Sequence, residues 1–386
     1  MSQNESHLPG WNADAARALQ DQRAEYDDER EHSPVSYSTL MHWSIFRHED
    51  VVRVVNDHET FSNVVSRHPS VPNGMDPPEH TLYRRVILSY FSPERMQVFE
   101  PVCREIVSEM VRALPRNGET EVMDGFAHSA AARIHCAFLG WPDDLHAALA
   151  DWTARSTAAT RAQDRQELAQ IAGEFEQLVG AMIDQRRSGD ASAHDDVMSR
   201  LMREQVKDRS LSDAEVTSIL RNWTMGEIGT VAASIGVLAA YLATHPELQE
   251  QLRTNPALLP QAIDEILRID GPLVGNRRMT TRPVEIGGES LAAGERVTVN
   301  WIAANRDSRV FPEPDAFRLD RNPSDNLLYG KGIHVCPGAP LARMELRVTM
   351  EELLKGTAQI EPGLTEAPVR ATYPSSGFAS LPLRIR

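Results

Sequence analysis

Tyr329-Gly330-Lys331-Gly332-Ile333-His334-Val335-Cys336-Pro337-Gly338-Ala339-Pro340-Leu341-Ala342-Arg343 is a glycine-punctuated loop that carries one cysteine directly ahead of an amphipathic helix. Glycine lets the backbone approach another group closely, and a helix N-terminus favours a thiolate placed against it. A lone cysteine in bland surroundings reads as a small buried hydrophobe, but these surroundings point to a ligand instead. Two neighbouring patterns fail. Gly330-Lys331-Gly332 lacks the third glycine of a dinucleotide fingerprint and the spacing of a phosphate loop, and His48-Glu49 has Val52 where a metalloprotease needs its second histidine.

Outward from this loop the chain is helix-rich. Amphipathic or apolar runs recur at 96–113, 126–139, 144–187, 213–243, 257–269 and 338–355, some introduced by capping signals such as Ser212-Asp213 and His245-Pro246-Glu247. Strand-like pieces are short and cluster at 36–46, 283–299 and 379–385. The Pro-rich stretch 310–323 reads as an irregular connection, because proline removes donors and blocks helix propagation. The expected fold is mainly α with small β-sheets (α+β), with residues 1–386 forming one domain without a linker.

With 386 residues, 40 basic and 55 acidic side chains, the formal net charge is −15. Binding to nucleic acid or to an anionic membrane surface needs the opposite sign, so neither is expected as a partner. Cys103, Cys136 and Cys336 are odd in number and far apart, which gives neither a disulfide framework nor a Cys-x-x-Cys zinc site and suits a reducing cytoplasm. The N-terminal stretch lacks a basic segment followed by an apolar one, and the near-apolar run Val231–Ala243 is too short to span a bilayer. A cytoplasmic small-molecule protein, monomeric by default, is the reading from composition.

The cysteine loop resembles the haem-binding loop of cytochromes P450, Phe-x-x-Gly-x-His/Arg-x-Cys-x-Gly followed by Leu-Ala-Arg, with Tyr329 in place of phenylalanine. Other segments resemble the family in order. Glu265-Ile266-Leu267-Arg268 matches its Glu-x-x-Arg, and Arg321 matches the arginine that completes that ion-paired triad; alone, Glu265 and Arg268 would be a surface pair of small worth. Asp76-Pro77-Pro78-Glu79-His80-Thr81-Leu82-Tyr83-Arg84-Arg85 resembles the segment whose His and Arg bind a haem propionate. By the same resemblance Arg278 and His334 take propionate-binding positions, Cys336 ligates the iron of haem b, and the Gly338 amide points at its sulfur.

Counting back from His245-Pro246, the family's oxygen-side alcohol falls at Thr230, and its Ala-Gly-x-Asp/Glu-Thr aligns with Gly226-Glu227-Ile228-Gly229-Thr230, which leaves glycine at the acid position. Glu227 lies one turn before Thr230 and is a candidate for the missing acid. The bland alternative for Thr230 is a hydroxyl bonded back to the Gly226 carbonyl. Gly226 and Gly229 each cost the helix roughly 1 kcal/mol relative to alanine, a cost that room over a haem would justify.

The resemblance implies a haem-thiolate monooxygenase that inserts one O2-derived oxygen atom into a small organic substrate, by hydroxylation or oxidative dealkylation, with small aromatic compounds a candidate class. Trp223–Thr230, Asn276-Arg277-Arg278 and Val71–Pro78 look most like haem domains of bacterial self-sufficient P450s. The sequence given ends at Arg386 without a reductase, so electrons from NAD(P)H are expected through separate partners, a ferredoxin or flavodoxin-like donor and its reductase. Lys331, Arg343 and Arg347 are expected to form a basic patch for that donor. Family position places Val64, Val65, Met225, Gly226, Gly229, Leu273, Val274, Gly275, Asn276, Ser376 and Phe378 around the substrate, although core packing explains any single apolar one equally well. The shortness of the 62–75 loop points to a reduced lid. Two alternatives are a peroxide-driven haem peroxygenase, made conceivable by Gly229, and a non-catalytic haem-thiolate ligand-binding or sensor protein.

Overall fold

The computed structural model describes residues 10–11, 20–66, 68–116, 118–188 and 196–386. In chain order its helices are α1 (Gln22–His32), α2 (His48–Asn56), α3 (Glu79–Leu88), α4 (Pro93–Ala113), α5 (His128–Leu139), α6 (His146–Ala162), α7 (Arg165–Ser188), α8 (Val197–Leu201), α9 (Asp213–Ala243), α10 (Pro246–Thr254), α11 (Leu259–Ile269), α12 (Trp301–Asn305) and α13 (Ala339–Gly356). The sheet segments are β1 (Val35–Ser38), β2 (His42–Ile45), β3 (Phe61–Ser62), β4 (Gly118–Glu121), β5 (Gln205–Val206), β6 (Arg209–Ser210), β7 (Gly275–Thr280), β8 (Val284–Ile286), β9 (Glu289–Leu291), β10 (Arg296–Asn300), β11 (Ile360–Pro362), β12 (Val369–Arg370), β13 (Phe378–Ser380) and β14 (Pro382–Ile385). The expected class, mainly helical with small sheets, is the class observed.

The axis of the helical body is α9. Ser212 starts it with a capping box, its hydroxyl accepting from the Glu215 amide while Glu215 accepts from the Ser212 amide, and Asp213 and Glu215 place negative charge on its first turn. It stops just before His245-Pro246. By length and apolarity α9 could cross a membrane, but Val231, Ile235, Leu238 and Leu242 are buried inside the protein, as in the core helix of a globular fold. Gly236 permits its closest crossing: a Cβ there would lie 2.4 Å from the Met123 sulfur on the π-turn Met123–Ala127. Around α9 pack α5, α6, α7, α11 and α13, and α13 packs in turn on α4.

The run expected at 144–187 is two helices. Gln163 takes a left-handed φ of 54°, and Asp164 then accepts the Gln166 and Glu167 amides, so a short polar side chain ends one helix and starts the next. The largest sheet has the order β1-β2-β10-β7-β3, with β2 and β10 parallel and its other pairs antiparallel. Its strand β7, Gly-Asn-Arg-Arg-Met-Thr, has no apolar alternation and was not foreseen. It is a strand because β10 supplies the pairing, with Val297 opposite Arg278 and Val299 opposite Asn276.

The Glu265–Arg268 pair is a core feature. Arg268 is 1% exposed; its guanidinium donates twice to Glu265, at 2.8 and 3.0 Å, and to the carbonyls of Asn305 and Pro314. Arg321 donates to Glu265 at 2.8 Å and to the carbonyls of Pro312, Glu313 and Ala316, which holds the irregular 310–323 connection to α11. Removing one member of such a buried set leaves a charge without compensation. Glu265→Gln is therefore expected to destabilise the protein by roughly 3–5 kcal/mol in urea unfolding, far more than a surface pair would lose.

Candidate active site

The cysteine loop is shaped by two left-handed glycines and a short bridge. Gly330 has φ 73° and Gly332 φ 75°, and a Cβ on Gly332 would stand 2.3 Å from the Val55 carbonyl oxygen of α2. The Cys336 amide donates to the Tyr329 carbonyl at 2.8 Å, closing the loop on itself. Tyr329 fills the position of the family's phenylalanine, with the Arg343 guanidinium 4.3 Å from its ring centre and its buried hydroxyl without a hydrogen-bond partner among the described residues. Asn326 and Arg343 both bond Asp264 of α11, so the loop is registered to the helix that carries Glu265.

Cys103 and Cys136 are buried, whereas Cys336 opens onto a recess. Burial raises its pKa, while the Gly338 and Ala339 amides at the start of α13 and the Arg84 guanidinium pull it down. A metal in the recess would hold it as thiolate.

Around the recess lie four cationic or imidazole groups. His80 and Arg84 come from α3, Arg278 from β7 and His334 from the loop, and the His80 and His334 rings sit 4.2 Å apart. Both ring nitrogens of His80 and Nε2 of His334 lack hydrogen-bond partners among the described residues. Arg84 donates to the Val335 carbonyl and Arg278 to the Arg277 carbonyl, and neither guanidinium bonds a carboxylate among the described residues. The nearby acid Asp76 is committed to the Ser62 hydroxyl and the Asn63 amide. Burial pushes Arg278 down to about 10, and burial with the neighbouring cations and His80 pushes His334 down to about 3. Cations so buried cost several kcal/mol each unless an anion joins them. The donor set therefore fits a ligand that presents two carboxylates beside a thiolate-bound metal, as haem does.

On the oxygen side, Gly226 faces open space and a Cβ on Gly229 would meet only Thr153 of α6, at 3.5 Å. Thr230 does not bond back to Gly226; its hydroxyl has no hydrogen-bond partner among the described residues, and Ser234 satisfies its carbonyl at 2.8 Å. Glu227 is not isolated: Oε2 lies 2.9 Å from Nδ1 of His135 on α5, without hydrogen-bond geometry, and its charge acts on the buried Glu345 of α13, whose pKa burial and Glu227 raise. Sequence reading missed His135 and Glu345. Glu345 left a signal, an acid on the apolar stripe formed by Leu341, Met344 and Val348 of α13; His135, alone in an apolar run, left none.

Of the expected pocket residues, Val64 is 51% exposed, Met225 is half-buried, Leu273 bridges to Ser375, and Asn276 is exposed with its side-chain oxygen accepting from the Trp301 indole at 2.8 Å. Val65 is half-buried beside Val64 and Gly275 pairs with Asn300. Val274 is wholly buried in a cluster with Trp11, Tyr26 and Phe46 and so presents no surface to a substrate. Ser376 is buried, and Phe378 is buried under the Arg370 guanidinium. The expected basic patch is corrected: Arg343 pairs with Asp264 at 3.0 Å and Arg347 with Glu100 and Glu351 at 2.6 and 2.9 Å, so both charges are neutralised locally.

A cysteine loop beside a glycine-bearing core helix, with a rim of cations lacking anions among the described residues, defines the class as haem-thiolate. The chain belongs to the cytochrome P450 family, whose pattern matches residues 153–356. It is 33% identical to the mycinamicin IV hydroxylase/epoxidase of Micromonospora griseorubida over 85% of each chain, and 30% identical to the erythromycin C-12 hydroxylase of Saccharopolyspora erythraea over 84% of each. A P450 from Chondromyces apiculatus superposes with a TM-score of 0.86 at 26% identity, covering 98% of both chains. The chain is accordingly a monooxygenase-type oxidoreductase of the haem-iron family.

Arg278→Leu separates the two halves of this argument. The haem-free variant is expected to unfold at a higher urea concentration than the haem-free parent, because an uncompensated cation is gone, while it releases haem faster to an acceptor globin. Equal haem retention would remove Arg278 from the propionate set.

Proposed function

We propose that this chain inserts one oxygen atom from O2 into a carbon–hydrogen bond of a compact organic substrate, with small aromatic compounds the first class to test. A carbon so hydroxylated next to oxygen, nitrogen or sulfur then breaks away, giving dealkylation. The overall balance is substrate, O2, two electrons and two protons to hydroxylated product and water. NAD(P)H supplies the electrons through a separate ferredoxin or flavodoxin-like donor. The observation that carries this reading is the rim of buried cations without anions, set beside an accessible cysteine.

When bound, haem b supplies the activation of oxygen. Cys336 would bind its iron, with the Gly338 and Ala339 amides directed at sulfur, and His80, Arg84, Arg278 and His334 would hold its two carboxylates. Thr230 is the one hydroxyl on this stretch of α9 that the fold leaves without a partner among the described residues, free to donate to oxygen and to order a water. Glu227, one turn earlier, holds the proton reserve that Gly229 cannot. The substrate lies against Met225, Gly226 and Gly229 of α9, with Leu273, Asn276, Val64 and Val65 at its sides. The loop over it is clamped: the Val71 amide donates to the Ser218 hydroxyl, the Ser70 hydroxyl to the Asn222 side chain, and the Asn222 amide to the Val71 carbonyl. That clamp supports a small enclosed space.

Within the family we group the chain with the haem domains of self-sufficient P450s, on Trp223–Thr230 and Asn276-Arg277-Arg278, and read it as a single monomeric haem domain of the cytoplasm. With Arg343 and Arg347 neutralised, Lys331 is the loop cation left for steering the donor.

Two measurements test the function. Addition of aryl ethers, phenols, thiocarbamates, fatty acids or macrolides to the ferric protein is expected to give a saturable low-spin to high-spin Soret shift with compact aromatics; a shift with macrolides alone would overturn the size assignment. Thr230→Ala is expected to keep consuming NAD(P)H and O2 while product per NAD(P)H falls several-fold and peroxide rises. Undiminished turnover of the parent with peroxide alone, without donor or O2, would favour the peroxygenase alternative.

A further inference from the structure

Beside the cysteine loop, on the flank of α9 where Trp223 stands, lies a cluster of aromatic rings that the reaction above does not use. Phe91, at the end of the turn that follows α3, touches the loop: a Cβ on Gly338 would lie 3.8 Å from the Phe91 ring and 3.9 Å from the Cys336 sulfur. Trp223, one turn ahead of Gly226 on α9, packs its indole on Phe91 at 5.2 Å and on the Tyr90 ring at 5.6 Å, centre to centre. Phe138 of α5 completes the cluster, 5.7 Å from Phe91 and 6.5 Å from Trp223. Trp223 and Tyr90 are both buried. A benzene ring is far harder to oxidise than an indole or a phenol. Trp223 and Tyr90 are therefore the oxidisable members of the cluster, in contact with each other and one ring away from the cysteine loop.

The Tyr90 phenol leads outward. Its hydroxyl donates to Oε1 of Glu204 at 2.9 Å, and Glu204, in the connection from α8 to β5, is half-buried and so reaches solvent. Burial and the Glu204 carboxylate hold the phenol protonated. The Arg95 guanidinium stands 4.9 Å from the centre of the Tyr90 ring and disfavours positive charge on it. An electron can then leave Tyr90 only as its proton crosses to Glu204. Two other tyrosines near the recess lack this outlet. Tyr329 is part of the cysteine loop, but its buried hydroxyl has no hydrogen-bond partner among the described residues. Tyr83 of α3 donates to Glu215, whose carboxyl is held well below the usual carboxylate range by two bonds from Arg209, at 2.8 Å each, and by the Ser212 amide, which makes it a poor proton acceptor.

We propose that Trp223 and Tyr90 form an electron route that discharges an oxidised haem when no substrate is there to be attacked, with Glu204 the proton acceptor at its outer end. The inference goes beyond the oxygenation reading and rests on one part of it, haem held by Cys336. The oxidant is a peroxide: hydrogen peroxide takes two electrons from the haem and two protons from solvent, its O–O bond breaks, and it leaves as water. One electron then passes from the Trp223 ring to the haem. Tyr90 refills Trp223 as its O–H bond breaks, the electron going to the indole and the proton to Oε1 of Glu204, and a neutral tyrosyl radical remains. An outside one-electron reductant, for which ascorbate is the probe, supplies the electron that with the Glu204 proton restores the phenol. A second passage along the same route returns the haem to its ferric state.

The test uses the ferric holoprotein without substrate, mixed with hydrogen peroxide, frozen within milliseconds and examined by electron paramagnetic resonance. The parent is expected to show a tyrosyl signal that narrows when the protein is made with ring-deuterated tyrosine. Tyr90→Phe should replace it with a tryptophanyl signal. Trp223→Phe should cut the tyrosyl yield several-fold although Tyr90 is intact, a loss that a packing role would not produce. Glu204→Gln, which leaves both rings in place, is expected to lower the yield as well, while Tyr83→Phe and Tyr329→Phe keep the parent's signal. Bleaching of the Soret band by peroxide is expected to run several-fold faster in Tyr90→Phe and Trp223→Phe, and ascorbate should slow it more in the parent than in either variant. No radical in the parent, an unchanged tyrosyl signal in Tyr90→Phe, or an undiminished one in Trp223→Phe each overturns the proposal. Failure of the haem reading looks different: Cys336→Ser would then keep the parent's Soret band.

Discussion

The Glu265 carboxylate is the constraint from which the rest of the site is hung. It accepts from Arg268, from Arg321 and from the Arg318 amide, and the Arg268 and Arg321 guanidiniums spend their other donors on backbone carbonyls of irregular chain. Irregular chain inside a protein has backbone oxygens that no helix or sheet satisfies, and a guanidinium is the side chain that can satisfy several at once. One buried acid on α11 thereby fixes the 310–323 connection. Through Asn305, whose carbonyl accepts from Arg268 and whose side chain accepts the Leu327 amide, it also fixes the point at which the cysteine loop begins.

The opposite electrostatic strategy holds at the recess. The triad neutralises its charges within the fold, while Arg84, Arg278 and His80 are buried and His334 half-buried beside them, with no anion bonded to any of the four among the described residues. A fold that leaves such groups together sacrifices stability in its ligand-free form and recovers it when a dianionic ligand arrives, which couples ligand binding to folding. The two arrangements are complementary. Rigid positioning of the loop by one set of arginines keeps the other set, with Cys336, in a fixed geometry.

The helical body was legible because its signals are local: a capping box at Ser212, a proline after His245, glycines around one cysteine. The cysteine loop, Glu265 with Arg268 and Arg321, and the His80 to Arg84 pair could be read as a set because each keeps a fixed spacing on one element or follows in order along the chain. The break at Gln163 was missed, since a helix pattern runs straight through it and only the capping bonds of Asp164 reveal it. Strand β7 was missed because its residues carry no period and its partner dictates its state. Val274 and the arginines of the supposed basic patch were misplaced for one reason. Which way a side chain turns, towards a cavity, a core or an opposing carboxylate, is decided by elements distant in sequence, and family position does not report it.

Glu227 shows the same limit at the centre of the site. From sequence it is an acid one turn from a threonine, and nothing local says that the neighbouring helices contribute an imidazole and a second acid. Glycine at 229 and glutamate at 227 then have a joint physical sense. An acid at 229, beside Thr230, would point at Thr153 of α6, which a Cβ there already touches at 3.5 Å. Moved two residues back, the acid turns into the core beside two buried partners, while Gly226 faces open space and Gly229 packs against Thr153.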